Sequence, residues 1–494
     1  MNKYLRAIST NYIFFAINAI FFLVVTPVAI NAMGEEFFGL WMILIALMLF
    51  SNIGNLGIDT IVLKFSAESH LPENAQSKYN RILTAGYFIA LTMSMLTASI
   101  LISARSLIAN NIDTSIGLKL QFQQAVIWIA AGIIPQFLTR VPHGLLLSEL
   151  RNRTVRQFEL FATVSLWMGA VGVALIEKNL VFIAVWCFFI NWLVFGFYFW
   201  TSWRLAPFRF QLEISTLKRM LNFSKYMFIE NLAISSFQQF DRVVVGFTLG
   251  PAIAGVYATG TGLASRLSMV TGQATEVMIP YASLQDSLDD RQKLYSVFRR
   301  LSRYVSLLLA GLSSVLIIWM NDFLSLWISP DYAAKYANGF RILVIAYGLL
   351  SLCRPAHQTL TGIGKVKFTS LVYLFSTILM LVSLIFLSRE FGFHGAAASN
   401  LMLILLLVYN LFVYVSVGSP IRWKHVLVDL QWGLGLPVFI FGLTIFLPGS
   451  VQNSNLLEMV VLGSLLTLAI IKDDQNYLKT GMFRIKQLIN KSLI

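Results

Sequence analysis

Long apolar runs separated by short polar connections make up almost the whole chain. The runs cover residues 11–32, 39–64, 82–104, 122–147, 157–176, 179–201, 221–248, 252–281, 301–320, 338–362, 368–388, 392–417, 430–448 and 455–471. About twenty apolar residues wound as an α-helix reach across the ~30 Å hydrocarbon layer of a bilayer. Strands of a transmembrane barrel would be about ten residues long and alternate in polarity, and none of these runs does so. The pattern predicts an all-α polytopic membrane protein of about 14 transmembrane helices. The first run follows only Lys3 and Arg6 and has no small-residue cleavage signature, so it reads as a span and not as a removable signal.

Composition agrees with the pattern. Of 494 residues, 57% are hydrophobic and 12% charged, and the mean hydropathy is +0.72, outside the range of soluble domains. Charge adds orientation. With a cytoplasmic N-terminus, 27 of the 37 Lys and Arg residues fall in cytoplasmic segments or at the cytoplasmic ends of runs, five fall outside, and five lie deeper within spans. That bias predicts cytoplasmic termini, and it accounts for the net charge of +14 without nucleic acid as a partner. Cys187 and Cys353 both lie inside apolar runs and read as core thiols. The longest outer connection, 321–338, is too short for a catalytic domain. The tail from 475 to 494 alternates apolar residues with Lys479, Arg484 and Lys486. Two readings stand for it, an amphipathic helix on the membrane surface and a disordered tail.

Within this frame one motif occurs twice. Arg140-Val-Pro-His143 and Arg354-Pro-Ala-His357 are 214 residues apart. At the same offset Leu146 matches Leu360, Arg151 matches Lys365 and Arg153 matches Lys367, while Phe38-Gly-Leu-Trp41 and Ala254-Gly-Val-Tyr257 match at 216. Spans 1–6 and 7–12 therefore read as two parallel repeats around a central cavity, with an extra helix pair after them. The corresponding divisions are 1–205, 206–420, 421–472 and a cytoplasmic tail at 473–494.

Charges inside the spans are the candidate functional residues. Arg140 and Arg354 lie eleven residues before the cytoplasmic cations Arg151 and Lys365, about 16 Å deep at 1.5 Å per residue and so near the midplane. Arg266 is at similar depth in span eight. An arginine facing lipid there costs at least about 2.5–3.5 kcal/mol, so these face protein or water. Two readings stay open: lining of a cationic cavity, or bonding between helices. Span seven carries a polar stripe with Glu230, Gln239, Asp241 and Arg242, unsuited to lipid. Arg266, Arg140, Arg354 and Arg242 are candidates for gripping an anionic substrate, because guanidinium forks match phosphate and hold their charge. Asp241, Glu230, His143, His357 and Asp59 are candidates for ion coupling or gating. No phosphate-binding glycine–lysine loop, metal-ligand cluster or nucleophile–base set is present, so the residues suggest a transporter without a cofactor and not an enzyme.

The stretch Phe38-Gly-Leu-Trp-Met-Ile-Leu-Ile-Ala-Leu-Met-Leu-Phe-Ser-Asn-Ile-Gly-Asn-Leu-Gly-Ile-Asp59 resembles the early signature of bacterial polysaccharide exporters, an aromatic start followed by a "dlGl" turn, with the acid displaced here to Asp59. Asp241-Arg-Val-Val-Val-Gly-Phe-Thr-Leu-Gly-Pro-Ala-Ile-Ala-Gly-Val-Tyr257 resembles the same family's "DR…G…lG.Y" segment. The family is the O-antigen flippases (Wzx type) of the multidrug/oligosaccharidyl-lipid/polysaccharide exporter superfamily. The resemblance implies export of an undecaprenyl-pyrophosphate-linked oligosaccharide across the bacterial inner membrane by alternating access, coupled to an ion gradient. Polysaccharide polymerase machinery is the partner it suggests. Two alternatives are a multidrug or cation antiporter of the superfamily, which would want an acidic cavity, and a membrane-embedded polymerase or acyltransferase, which would want a long outer loop.

Overall fold

Each predicted span from the first to the thirteenth falls mainly on helix where the chain is described. The computed structural model describes residues 2–50, 54, 57–67, 75–149, 151–205, 207, 209–222, 239–275, 278–288, 290–416 and 423–446. The helices are α1 (Asn2–Met33), α2 (Glu35–Phe50), α3 (Ile58–Ala67), α4 (Ala75–Asn110), α5 (Ile116–Ser148), α6 (Asn152–Ile176) and α7 (Leu180–Leu205), followed by α8 (Asp241–Leu249), α9 (Pro251–Thr275), α10 (Met278–Ser287), α11 (Arg291–Ile318) and α12 (Met320–Trp327). After these come α13 (Pro330–Gly362), α14 (Val366–Ser399), a 3₁₀ stretch (Asn400–Leu407), α15 (Val408–Ser416) and α16 (Trp423–Phe446). Glu230, the fourteenth span and the tail lie outside the described residues.

Among the described residues, eight helices are long and apolar enough to cross a membrane, and the protein is a multi-pass membrane protein. Within the second predicted span Gly57, at φ +69°, precedes α3, and the described parts of the eighth are α9 and α10. Spans eleven and twelve run together except at Gly392, whose φ of +55° turns the chain back at low cost. The connection predicted at 321–338 is itself helical. Ser329 caps α13 by accepting from the Tyr332 N–H at 3.2 Å, and Pro330 sits in the first turn, where it has no N–H to lose.

Helices α1–α7 pack on one another, as do α8–α16. The two groups meet mainly where α2 crosses α9 and α8, with a smaller contact of α1 on α9. The crossing uses the glycines of the repeated four-residue motif. A methyl group at Gly39 would overlap the Pro251 carbonyl, and one at Gly255 would lie 2.9 Å from the Phe38 ring and 3.0 Å from the Gly39 Cα. The matched glycines therefore face each other at the junction of the two groups, where an axis relating two parallel repeats has to pass.

The two Arg-x-x-His helices end in corresponding hydrogen bonds. The Glu149 N–H bonds the Leu145 carbonyl at 3.2 Å and the Arg151 N–H bonds that of Leu146 at 2.9 Å. At offset 214, Ile363 bonds Thr359 at 3.1 Å and Lys365 bonds Leu360 at 2.8 Å. Each histidine lies against a tyrosine of its own group: His143 on Tyr198 of α7 at 5.9 Å and His357 on Tyr409 of α15 at 5.7 Å. Each tyrosine hydroxyl donates to a backbone carbonyl, Tyr198 to Val155 at 3.2 Å and Tyr409 to Thr369 at 2.5 Å. Val155 and Thr369 are again 214 residues apart. The structure thus bears out the repeat down to individual hydrogen bonds.

Candidate functional site: a central cavity with three arginines

Between the two groups lies a cavity of about 320 Å³, walled by α1, α2 and α6 on one side and by Gln239, α8, α9 and α13 on the other. Three guanidinium side chains line it, those of Arg242, Arg266 and Arg354, all on the second wall. No carboxylate is among the described lining residues.

The local sequence explains how each arginine is held. Arg266 donates from Nη1 to the Gly262 carbonyl at 2.6 Å and lies over the Phe22 ring of α1, 3.7 Å from its centroid. A cation on an aromatic face is worth about 0.5–2 kcal/mol, depending on desolvation. Gly262 makes the arrangement possible, because a Cβ there would sit 2.9 Å from the Phe22 ring. Gly272 does the same for Arg354, whose Nη1 lies 3.1 Å from where a Cβ would be. Arg242 is the second residue of α8, and its guanidinium is close enough to that of Arg266 to repel it. The Nε atoms of Arg242 and Arg266 are buried without a hydrogen-bond partner. Leaving such charged donors unpaired is costly, and an anion in the cavity would relieve both the unmet donors and the mutual repulsion.

Arg140, expected beside its repeat partner Arg354, does not line the cavity. Its Nη1 lies 3.6 Å from Asp59 Oδ2 at the start of α3. Gly144 permits this close packing, since a methyl group there would overlap the Asp59 carbonyl. His143 lies in the same cluster, with Nδ1 3.8 Å from Asp59 and Nε2 3.5 Å from Glu159, which also pairs with Arg156 at 2.7 Å. At the corresponding positions the second repeat differs: 216 residues after Asp59 the chain has Thr275, and 214 after Gly144 it has Gln358. His357 rests against Tyr409 and does not line the cavity.

Asp241 is 1% exposed and lies behind the cavity wall. Its Oδ1 accepts from the Arg242 N–H at 2.8 Å, and it neighbours Tyr257, whose hydroxyl accepts from Asn400 Nδ2 at 2.8 Å. Gln239, in the polar stripe, lines the cavity as expected, whereas sequence reasoning missed Phe22, Gly262, Gly272 and Trp167. The signal available for the glycines was the small-residue run Ala254-Gly-Val-Tyr-Ala-Thr-Gly-Thr-Gly262 in α9, a mark of close helix approach.

Comparison with known proteins agrees with this architecture. A Shigella flexneri protein named as an O-antigen transporter is 21% identical over 381 residues, covering 75% of this chain and 87% of that protein. An inward-closed structure of the lipid II flippase MurJ superposes with a TM-score of 0.66 at 12% identity, over 94% of this chain and 99% of that one. An inward-facing multidrug resistance MATE transporter of the MOP superfamily gives 0.66 at 12% identity, over 81% of this chain and 94% of that one. At these identities the two structures show a shared fold. The family model described as polysaccharide biosynthesis protein matches residues 33–335, well over half of the sequence, and the chain belongs to that family.

Proposed function

We propose that this protein moves a polyprenyl-diphosphate-linked oligosaccharide from the inner to the outer face of a bacterial cytoplasmic membrane. The observation that carries the reading is the cavity wall bearing Arg242, Arg266 and Arg354, with no carboxylate among the described lining residues. A diphosphate entering the membrane must exchange its water for other donors, and guanidinium forks supply them with charge. A cation antiporter would need the opposite sign. Phe38 lines the cavity and Gly39 packs tightly on Pro251 and Gly255; we take this junction to be the closed end, which in our topology is the outer one, so the lipid headgroup enters from inside. The halves 1–205 and 206–420 would then rock about this junction to give alternating access. Asp241, buried behind Arg242, is the group we favour for coupling to an ion gradient.

The test is transport of lipid-linked oligosaccharide in proteoliposomes. Arg266→Ala and Arg354→Ala should each lower transport at least tenfold, since a charge-assisted hydrogen bond is worth about 1.5–3 kcal/mol. Lysine at either position should restore part of it. Transport at the wild-type rate in both alanine variants would overturn the reading.

A further inference from the structure

The cavity is chemically divided, and the wall opposite the arginines has a function of its own. Among its described residues that wall bears no charge, and its polar side chains are Asn18, Thr26, Thr163 and Trp167. The hydroxyl protons in the cavity are already committed. Thr163 donates to the Glu159 carbonyl at 2.9 Å, Thr26 to Phe22 at 2.7 Å, and Ser265 to Gly262 at 2.9 Å. Asn18 likewise donates from Nδ2 to the Phe14 carbonyl at 2.9 Å. A hydroxyl whose proton is spent on its own helix offers a ligand only lone pairs. On the arginine wall, Gln239 adds an Oε1 that is buried without a partner. The strong charged donors therefore all lie on one wall, and apart from the Trp167 indole N–H the opposite wall offers mainly acceptors.

Phosphate oxygens need donors, whereas sugar hydroxyls need acceptors to take up their protons. Beside Thr163, one helical turn along α6, Trp167 presents an indole whose plane is fixed by the fully buried Trp41, 4.6 Å away at 77°. A rigid aromatic wall suits the C–H face of a pyranose ring, which is apolar. A volume of about 320 Å³ is at the low end of ligand pockets, which run from about 300 to 1,000 Å³, and admits a headgroup and its neighbouring sugar more readily than a long glycan.

We propose that Thr163, Trp167 and Asn18 form a sugar-reading wall, which recognises the neutral pyranose next to the diphosphate while the arginines opposite hold the diphosphate itself. The proposal rests on the function proposed above, and its test separates the two. The probes are farnesyl diphosphate and its glucosyl and N-acetylglucosaminyl diesters, titrated into purified protein in nanodiscs. For Thr163→Val, affinity for the better-binding diester should fall about three- to tenfold, the worth of one hydrogen bond. Trp167→Leu should lower it at least as much, and Thr163→Ser, which keeps the acceptor, should bind as wild type. Farnesyl diphosphate should bind all three variants within twofold of wild type. The sugar-reading wall is overturned if neither diester binds more tightly than farnesyl diphosphate, if Thr163→Val and Trp167→Leu leave the diester affinity unchanged, or if both classes of probe fall together. Failure of farnesyl diphosphate to bind wild type, or its undiminished binding to Arg266→Ala/Arg354→Ala, would instead overturn the diphosphate reading beneath it.

Discussion

Removing one indole N–H should loosen the closed end of the cavity. Pro27 lies inside α1 and has no N–H, so the Leu23 carbonyl four residues earlier loses its helical partner. Trp327 of α12, in the other half of the molecule, donates its Nε1–H to that carbonyl at 2.5 Å. The same indole lies 5.9 Å from Phe22, on which Arg266 rests. The bond thus joins the two halves next to the cationic site. Trp327→Phe keeps an aromatic ring and deletes the donor. Stranding a part-buried carbonyl costs about 1–3 kcal/mol. If the bond exists only while this end is closed, the equilibrium shifts toward opening by roughly 5- to 150-fold.

The assay is modification of Asn18→Cys, on the cavity wall, by a membrane-impermeant maleimide added outside intact cells. The rate follows the open fraction even where that fraction is small, so it should rise about 5- to 150-fold in Trp327→Phe. A second substitution isolates the cause. Pro27→Ala supplies an N–H at position 27, so Leu23 regains its own partner and Trp327→Phe should change little in that background. A rate within twofold of the parent in Trp327→Phe, or the same increase with and without Pro27, would refute the reasoning.

Two further outcomes are expected. Breaking the part-buried pair of Arg140 with Asp59 through Asp59→Asn should cost about 1–3 kcal/mol of stability in detergent, less than the 3–5 typical of fully buried pairs, and Arg140→Gln added to it should recover most of the loss; losses that simply add in a double-mutant cycle would contradict a specific pair. For topology, Asn111→Cys should be labelled from outside intact cells and Arg153→Cys only after permeabilisation, both residues being exposed; the reverse pattern would invert the assigned orientation.

Much of this molecule is legible in its sequence because a bilayer imposes simple rules. Twenty apolar residues must be helical, cations gather on one side, and a charge inside a span must find a partner or a cavity. Those rules located the helices, the repeat and the depth of Arg140, Arg266 and Arg354. They could not tell Arg140 from Arg354, because the difference lies outside the motif. Asp59 is 81 residues from Arg140 in the chain, and only the packing of α3 on Gly144 brings the two together. Phe22 and Trp327 escaped notice for the same reason: an aromatic residue in a membrane span is ordinary until the fold puts an arginine on one and an orphaned carbonyl beside the other.

The divergence of the repeats bears on mechanism. Two identical halves would place like cations on both walls and leave no surface for the uncharged part of a substrate. In this chain the first repeat neutralises its arginine with Asp59 and presents hydroxyl acceptors and an indole, while the second holds Arg354 against Gly272 and adds Arg242 and Arg266. A ligand carrying a dianionic group and a neutral polyol can satisfy both walls at once, and closing the halves on it would be favoured by contacts that neither part alone supplies. A bare anion would satisfy only the arginines, and an uncharged sugar only the opposite wall. Under the function we propose, the asymmetry would make occupancy by the whole headgroup the condition for the two walls to come together.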